Sequence, residues 1–243
     1  MMRNWCFVLL SVVAIVASSC VWTVRYSASE VVGNGKLVEE ERMLQGFSAV
    51  DNASTFNVSL QQGEAFSFRV ACEENLLPLL RTRVEDGVLF IEMTEKSVNQ
   101  TRPSRIDIVL PELKSLKNSG VGNVEVRQMS GQALTVQNSG VGNLTLDIRF
   151  ETMECRNSGV GNVTVTGSVG TLNLYNKGVG NVTADELNTQ MARVENSGVG
   201  SVRVRCAKEI SIYNHGVGSV RYSGDAIIRD LVSEGVGSVK RAD

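Results

Sequence analysis

Histidine occurs once in the 243 residues, proline three times, and aromatic side chains make up only 5% of the chain. Each scarcity removes a class of function. With His215 as the sole imidazole, no histidine metal cluster can form and no Ser/His/Asp arrangement can be named. The five cysteines (Cys6, Cys20, Cys72, Cys155 and Cys206) contain no CxxC pair, so zinc-finger spacing is absent as well. The formal net charge is only -2, and no block of Lys and Arg marks a nucleic-acid partner. We therefore expect no catalytic residue, metal or cofactor, and no nucleic acid.

Long hydrophobic runs are also missing, apart from one at the start. Arg3 precedes an apolar run from Trp5 to Ala17, and Ser18-Ser19-Cys20 follows it. Charge, apolar stretch and small-residue zone in that order are the parts of an export signal. "ASSC" resembles the lipobox of bacterial lipoproteins, which implies that Cys20 carries the lipid and heads the mature chain. An uncleaved anchor from Trp5 to Val24, about 20 residues, would be just long enough to span a bilayer. In either case the body lies outside the cytoplasm, in the cell envelope. "VWTVRYS" after Cys20 has no acidic sorting stretch, which favours the periplasmic face of the outer membrane over the cell surface. Beyond the signal, Cys72, Cys155 and Cys206 are an odd set that cannot all pair, and buried free thiols fit them best.

What the chain has is glycine, 23 residues of it, and a repeat. "NSGVGN" at 118–123 returns in variant form six times. The first glycines are Gly120, Gly140, Gly159, Gly178, Gly198, Gly216 and Gly235, separated by 20, 19, 19, 20, 18 and 19 residues. The second glycines are Gly122, Gly142, Gly161, Gly180, Gly200, Gly218 and Gly237. Val stands between each pair. A dinucleotide loop would need a third glycine and a following helix, and a calcium repeat would need Asp near the second glycine. Neither is present. The motif is expected to be a backbone corner, with its Val filling the core at the bend.

The flanks of the motif alternate with period 2, as strands with one buried face do. Leu116, Val136, Cys155, Leu174, Val194, Ile212 and Leu231 form one inward column, four residues before the glycine. Val124, Leu144, Val163, Val182, Val202, Val220 and Val239 form another after it. Asn118, Asn138, Asn157, Asn176, Asn196 and Asn214 line up two residues before the glycine, with Ser233 in the last copy, and equivalent amides on stacked turns can hydrogen-bond along the axis. A unit of about 19 residues cannot bury its own apolar face, but copies stacked at about 4.8 Å can. The expected fold is all-β: a parallel, by default right-handed, β-helix of about seven turns, roughly 30 Å long. Runs such as "FNVSL", "FSFRVAC", "VLFIEM" and "RIDIVL" precede it as a β-rich cap. The expected divisions are a signal at 1–20, a tether and first strand at 21–46, an N-terminal β region at 47–112, and the solenoid at 113–243.

The order "GNGKLVEEERMLQGFSAVDNAS", "ENLLPLLRTRVEDGVLFI" and "IDIVLPELKSLKNSGVGNVEV", then the repeats, resembles the bacterial family called putative auto-transporter adhesin, head GIN domain. The resemblance covers nearly all of the chain after residue 30. It implies an exported β-rich domain, often lipid-anchored, for which no catalytic residues are established.

The outward columns carry the side chains that vary in charge. Arg203, Arg205, Arg221, Lys240 and Arg241 fall on neighbouring positions of the last three turns, after the uncharged series Thr145, Thr164 and Thr183. Stacked, they form a basic stripe suited to an anionic ligand. Tyr175 and Tyr213 share another outward column. The expected function is a non-enzymatic, lipid-anchored envelope protein whose rigid surface serves adhesion or binds a glycan or envelope protein. The alternatives are an exported polysaccharide-active enzyme and a self-assembling solenoid. The sequence does not set the oligomeric state.

Overall fold

The computed structural model describes residues 30–95 and 97–242. The expected signal or anchor and the candidate lipid site Cys20 lie outside them. Among the described residues there is no α-helix, and no helix is long and apolar enough to cross a membrane.

The N-terminal strands are β1 (Val31–Val32), β2 (Leu37–Glu41), β3 (Ala49–Ala53), β4 (Asn57–Gln62), β5 (Ser67–Glu73), β6 (Leu80–Glu85), β7 (Val88–Met93), β8 (Val98–Asn99) and β9 (Arg105–Leu110). The repeats supply β10 (Ser115–Asn118), β11 (Val124–Asn138), β12 (Leu144–Asn157), β13 (Val163–Asn176), β14 (Val182–Asn196) and β15 (Val202–Asn214). The last turns are β16 (Val220–Ser223), β17 (Ile227–Ser233) and β18 (Val239–Arg241).

From β10 to β18 every pairing is parallel, and equivalent repeat positions sit opposite one another, as in Val136 beside Cys155 beside Leu174. This is the parallel β-solenoid that the 19-residue period predicts. Inward columns such as Val163, Val165, Leu172 and Leu174 are at most 2% exposed. Burying each such side chain contributes about 1.5–3 kcal/mol.

The stack begins earlier than the motif does. β3 runs parallel to β10 and β4 parallel to β11, while β7 lies beside β3 and β9 beside β4. Segment 49–62 is therefore a turn inserted between the level of β7 and β9 and the first repeat. Beyond β7 and β9 the pairing becomes antiparallel, with β6 on β7, β5 on β9 and β2 on β5. These strands cover the N-terminal end of the core, as a repeat array requires.

Glu73 pins this region together. Fully buried, its carboxylate accepts the Gly35 N–H at 2.6 Å, the Thr101 N–H at 2.9 Å and the Thr101 hydroxyl at 2.5 Å. Burial works against its charge, but the hydrogen bonds from Thr101, Gly35 and Arg102 outweigh it and hold the carboxyl below its ordinary pKa. A side chain at Gly33 would collide with this carboxylate.

Cys72, Cys155 and Cys206 are buried and unpaired. Burial pushes the Cys155 thiol up to about 12 and the Cys72 thiol to about 11, so both stay protonated and pack as small apolar groups.

Candidate functional site

The corner glycines are the part of the sequence that most resembles a ligand loop. Its polar backbone is consumed by the stack. Val160 N–H donates to the Gly140 carbonyl at 2.9 Å, and Gly161 N–H donates to the Val179 carbonyl at 2.9 Å. The same pair of bonds recurs from turn to turn, so no row of free N–H groups remains to cradle a phosphate. The two glycines serve different needs. At Gly178, Cβ would lie 2.5 Å from the Gly159 carbonyl oxygen and 2.6 Å from Asn157 Nδ2. Gly180 has φ +133, outside the range that side-chain-bearing residues favour, and its Cβ would meet the Gly161 oxygen at 2.3 Å.

The Val of the motif does not fill the core. Val179 is 51% exposed and its six counterparts are at least half exposed. Period-2 alternation runs straight through the corner: the Asn points in, the next residue out, the first glycine in, and the Val out. The inward place at the bend goes to a glycine, because the neighbouring turn leaves no room there for Cβ.

Two ladders flank the corner. In the buried one, Asn52, Asn118, Asn138, Asn157, Asn176 and Asn196 each donate from Nδ2 to Oδ1 of the next, ending on Asn214, all at 2.9 Å. Asn52 is a member that the glycine spacing misses, since "DNAS" has no Gly-Val-Gly after it. In the exposed ladder, Oδ1 of Asn123, Asn143, Asn162 and Asn181 accepts the backbone N–H one turn further on at 2.9–3.0 Å.

Chemistry that varies sits on the outward columns, and the register places the basic stripe. Glu125, Thr145, Thr164, Thr183, Arg203, Arg221 and Lys240 occupy one column, each opposite the next. Arg205 lies two residues beyond Arg203 on the same face, opposite Ser223. Arg203, Arg205, Arg221 and Lys240 are all exposed. Arg203 Nε lies 3.6 Å from Asp185, a neutralising partner on a bulge that the repeat spacing hides. Arg205, Arg221 and Lys240 have no ion pair among the described residues. Arg241 is drawn aside, 3.2 Å from Asp225 and donating to the Gly224 carbonyl. Arg205, Ser223, Gly224, Asp225, Arg241 and Ala242 line an open groove of about 590 Å³ beside the stripe. Like charges directly opposite across a ladder destabilise it. Stacking Arg203, Arg221 and Lys240 rung upon rung therefore works against the ladder.

The other candidates are not brought together in this way. Tyr175 and Tyr213 do share a column, with Glu195 between them. Arg156 stacks on the Tyr175 ring at 4.3 Å and Arg193 on Tyr213 at 4.3 Å, so each ring already has an occupant on one side. His215 is exposed, with Nδ1 3.2 Å from a Glu234 carboxylate oxygen. Among the described residues no group of three or more His, Cys, Asp or Glu could hold a metal.

Comparison with known proteins agrees with this architecture. No relative was found among functionally curated proteins. A crystallised putative adhesin from Bacteroides fragilis shares 25% identity, with a TM-score of 0.82 over 87% of this chain and 100% of its own. A putative lipid binding protein from Parabacteroides distasonis (20% identity, TM-score 0.69, 88% of this chain and 100% of its own) has the same fold. So does a putative adhesin from Parabacteroides merdae, at 20% identity and a TM-score of 0.67 over 88% of this chain and 99% of its own. The family model described as putative auto-transporter adhesin, head GIN domain, matches residues 46–226, three-quarters of the chain, from just before β3 to just before β17. The chain belongs to that family.

Proposed function

We propose that this is a non-enzymatic, lipid-anchored protein of the cell envelope that binds an anionic polymer, a glycan by preference, along its last turns. The observation that carries this reading is the column Arg203, Arg221 and Lys240, with Arg205 beside it. It sets cations at successive rungs about 4.8 Å apart, with few counter-charges. A linear polyanion can follow such a column, and a column of this kind favours association through its field more than through close fit. The adhesin family and its crystallised members support a binding role. The apolar run from Trp5 to Ala17, ending in Ser18-Ser19-Cys20, supports the tether, and the first described strand, β1, pairs with β8 of the N-terminal region.

The test uses the full chain in phospholipid vesicles with heparin as the probe. Binding should weaken as salt rises. Replacing Arg203, Arg205 and Arg221 together by Ser should lower affinity about tenfold or more while leaving melting nearly unchanged, as exposed substitutions do. Cys20→Ala should release the protein from membranes in cells and abolish lipid labelling without altering heparin binding. Unaltered affinity in the triple variant would dismiss the stripe, and shortening of the polysaccharide would favour an exported polysaccharide-active enzyme instead. Membrane retention and labelling that survive Cys20→Ala would overturn the anchor.

A further inference from the structure

The two ends of the solenoid are built differently. At the N-terminal end the antiparallel strands β6, β5 and β2 close the core. At the other end β17 pairs with β15 along one edge and β18 pairs with β16 along one edge, and among the described residues nothing lies against their outer edges. Repeat arrays normally finish in a turn with a polar outer side. The last described turn instead keeps Ile228 and Leu231 at core positions, opposite Ile210 and Ile212, where they are 38% and 48% exposed. Their counterparts Ile210 and Ile212 are fully buried. An open core and a free strand edge in one place form a template for another chain. The chain's own ladder nevertheless stops here: Ser233 replaces the Asn, and Asn214 Nδ2 turns to the Gly218 carbonyl at 3.1 Å.

We propose that this end is covered by the same end of a second copy, in a two-fold dimer that pairs β17 antiparallel with its symmetry mate. The capped N-terminal end rules out head-to-tail growth, so the contact closes on itself instead of making a fibre. The sequence "IIRDLVS" of β17 is self-complementary about its Arg229–Asp230 midpoint. Antiparallel pairing there sets Arg229 opposite the partner's Asp230 and Ile228 opposite the partner's Leu231. The register shift between Ile210 and Ser211 makes Arg229 the extra residue, which is why Ile228 and Leu231 both face inward despite their odd spacing. The two apolar pairs then merge the two cores. Within one copy Arg229 is held by Glu209 at 2.5 Å and Asp230 accepts from the Ser211 hydroxyl at 2.9 Å, so both charges are already oriented at the edge. The end face is about one strand across, about 20 Å on a side. It would bury roughly 400 Å² per copy, about half a standard interface, so the dimer is weak and concentration-dependent.

Sedimentation equilibrium of the full chain in density-matched detergent tests this over a wide concentration range. The wild type should shift from monomer to dimer and no further. Arg229→Asp and Asp230→Arg, each alone, set like charges face to face and should weaken dimerisation about tenfold. The double swap should restore it, which a merely local defect would not do. Leu231→Asp should abolish the dimer while the β-sheet circular dichroism is kept, because Leu231 is already half exposed in a single copy. A chain that stays monomeric throughout, that assembles beyond a dimer, or whose dimer ignores the single charge changes or is not rescued by the swap would overturn the proposal.

Discussion

Replacing Gly178 and Gly180 together by Val is expected to destabilise the protein by about 4 kcal/mol or more, among the largest effects two point changes produce. In a chain of this size that lowers the melting temperature by roughly 10 °C. Two separate mechanisms add. At Gly178 the new Cβ strikes the carbonyl of Gly159 and the Asn157 amide, and neither can retreat, because both are fixed in ladders. At Gly180 the backbone angle of +133° is strained for any side chain, and the Cβ meets the Gly161 carbonyl as well. Relief requires adjacent turns to separate, and in a stack each turn is held only by its neighbours. Val179→Thr, between them, changes an exposed position and should cost no more than about 0.5 kcal/mol. Calorimetry of the three proteins checks both statements. A glycine variant that melts like wild type would show that the corner is not a packed element.

The second large effect is expected at Asn176, replaced by Ala. Asn176 is 1% exposed, its Oδ1 accepts from Asn157 and its Nδ2 donates to Asn196, both at 2.9 Å. Gly178 N–H also points at its Oδ1, at 3.3 Å. Removing it orphans a buried donor on one side and a buried acceptor on the other. Each orphan costs about 1–3 kcal/mol, so the expected total is roughly 2–6 kcal/mol. Asn181, in the exposed ladder, makes one bond to the Ser201 N–H that water can replace, and Asn181→Ala should cost far less. Urea titration ranks the two. Equal, small losses would mean that the inner ladder is not a continuous hydrogen-bonded chain.

Much of this was legible in the sequence because the fold repeats it. Seven copies put equivalent residues in columns, and a column that stays apolar, such as Val124 through Val220, has to face inward. The register of Arg203, Arg221 and Lys240 followed from the same alignment, since stacked turns align equivalent positions. Three things were hidden. The Val of the corner looked like core because it never varies, but sameness along a stack also arises when exposed β-branched residues rest on one another, as Val141 on Val160 on Val179 do. The insertion of segment 49–62 between two later levels of chain could not be read, because stacking order and chain order part there. The pairing of Arg203 with Asp185 depends on a bulge, and a bulge breaks the column that would have shown it.

Hydrogen exchange at the corner amides of the middle turns tests the central claim, that Gly-Val-Gly is part of the ladder and that recognition belongs to the outward columns. The N–H groups of Val160, Gly161, Val179 and Gly180 all have partners on adjacent turns at 2.9 Å. They should exchange as slowly as the neighbouring strand amides of β13 and β14, opening only when the stack itself opens. Rapid exchange at these four positions, with the strands on either side protected, would mark them as a free loop and return the motif to the ligand-binding candidates.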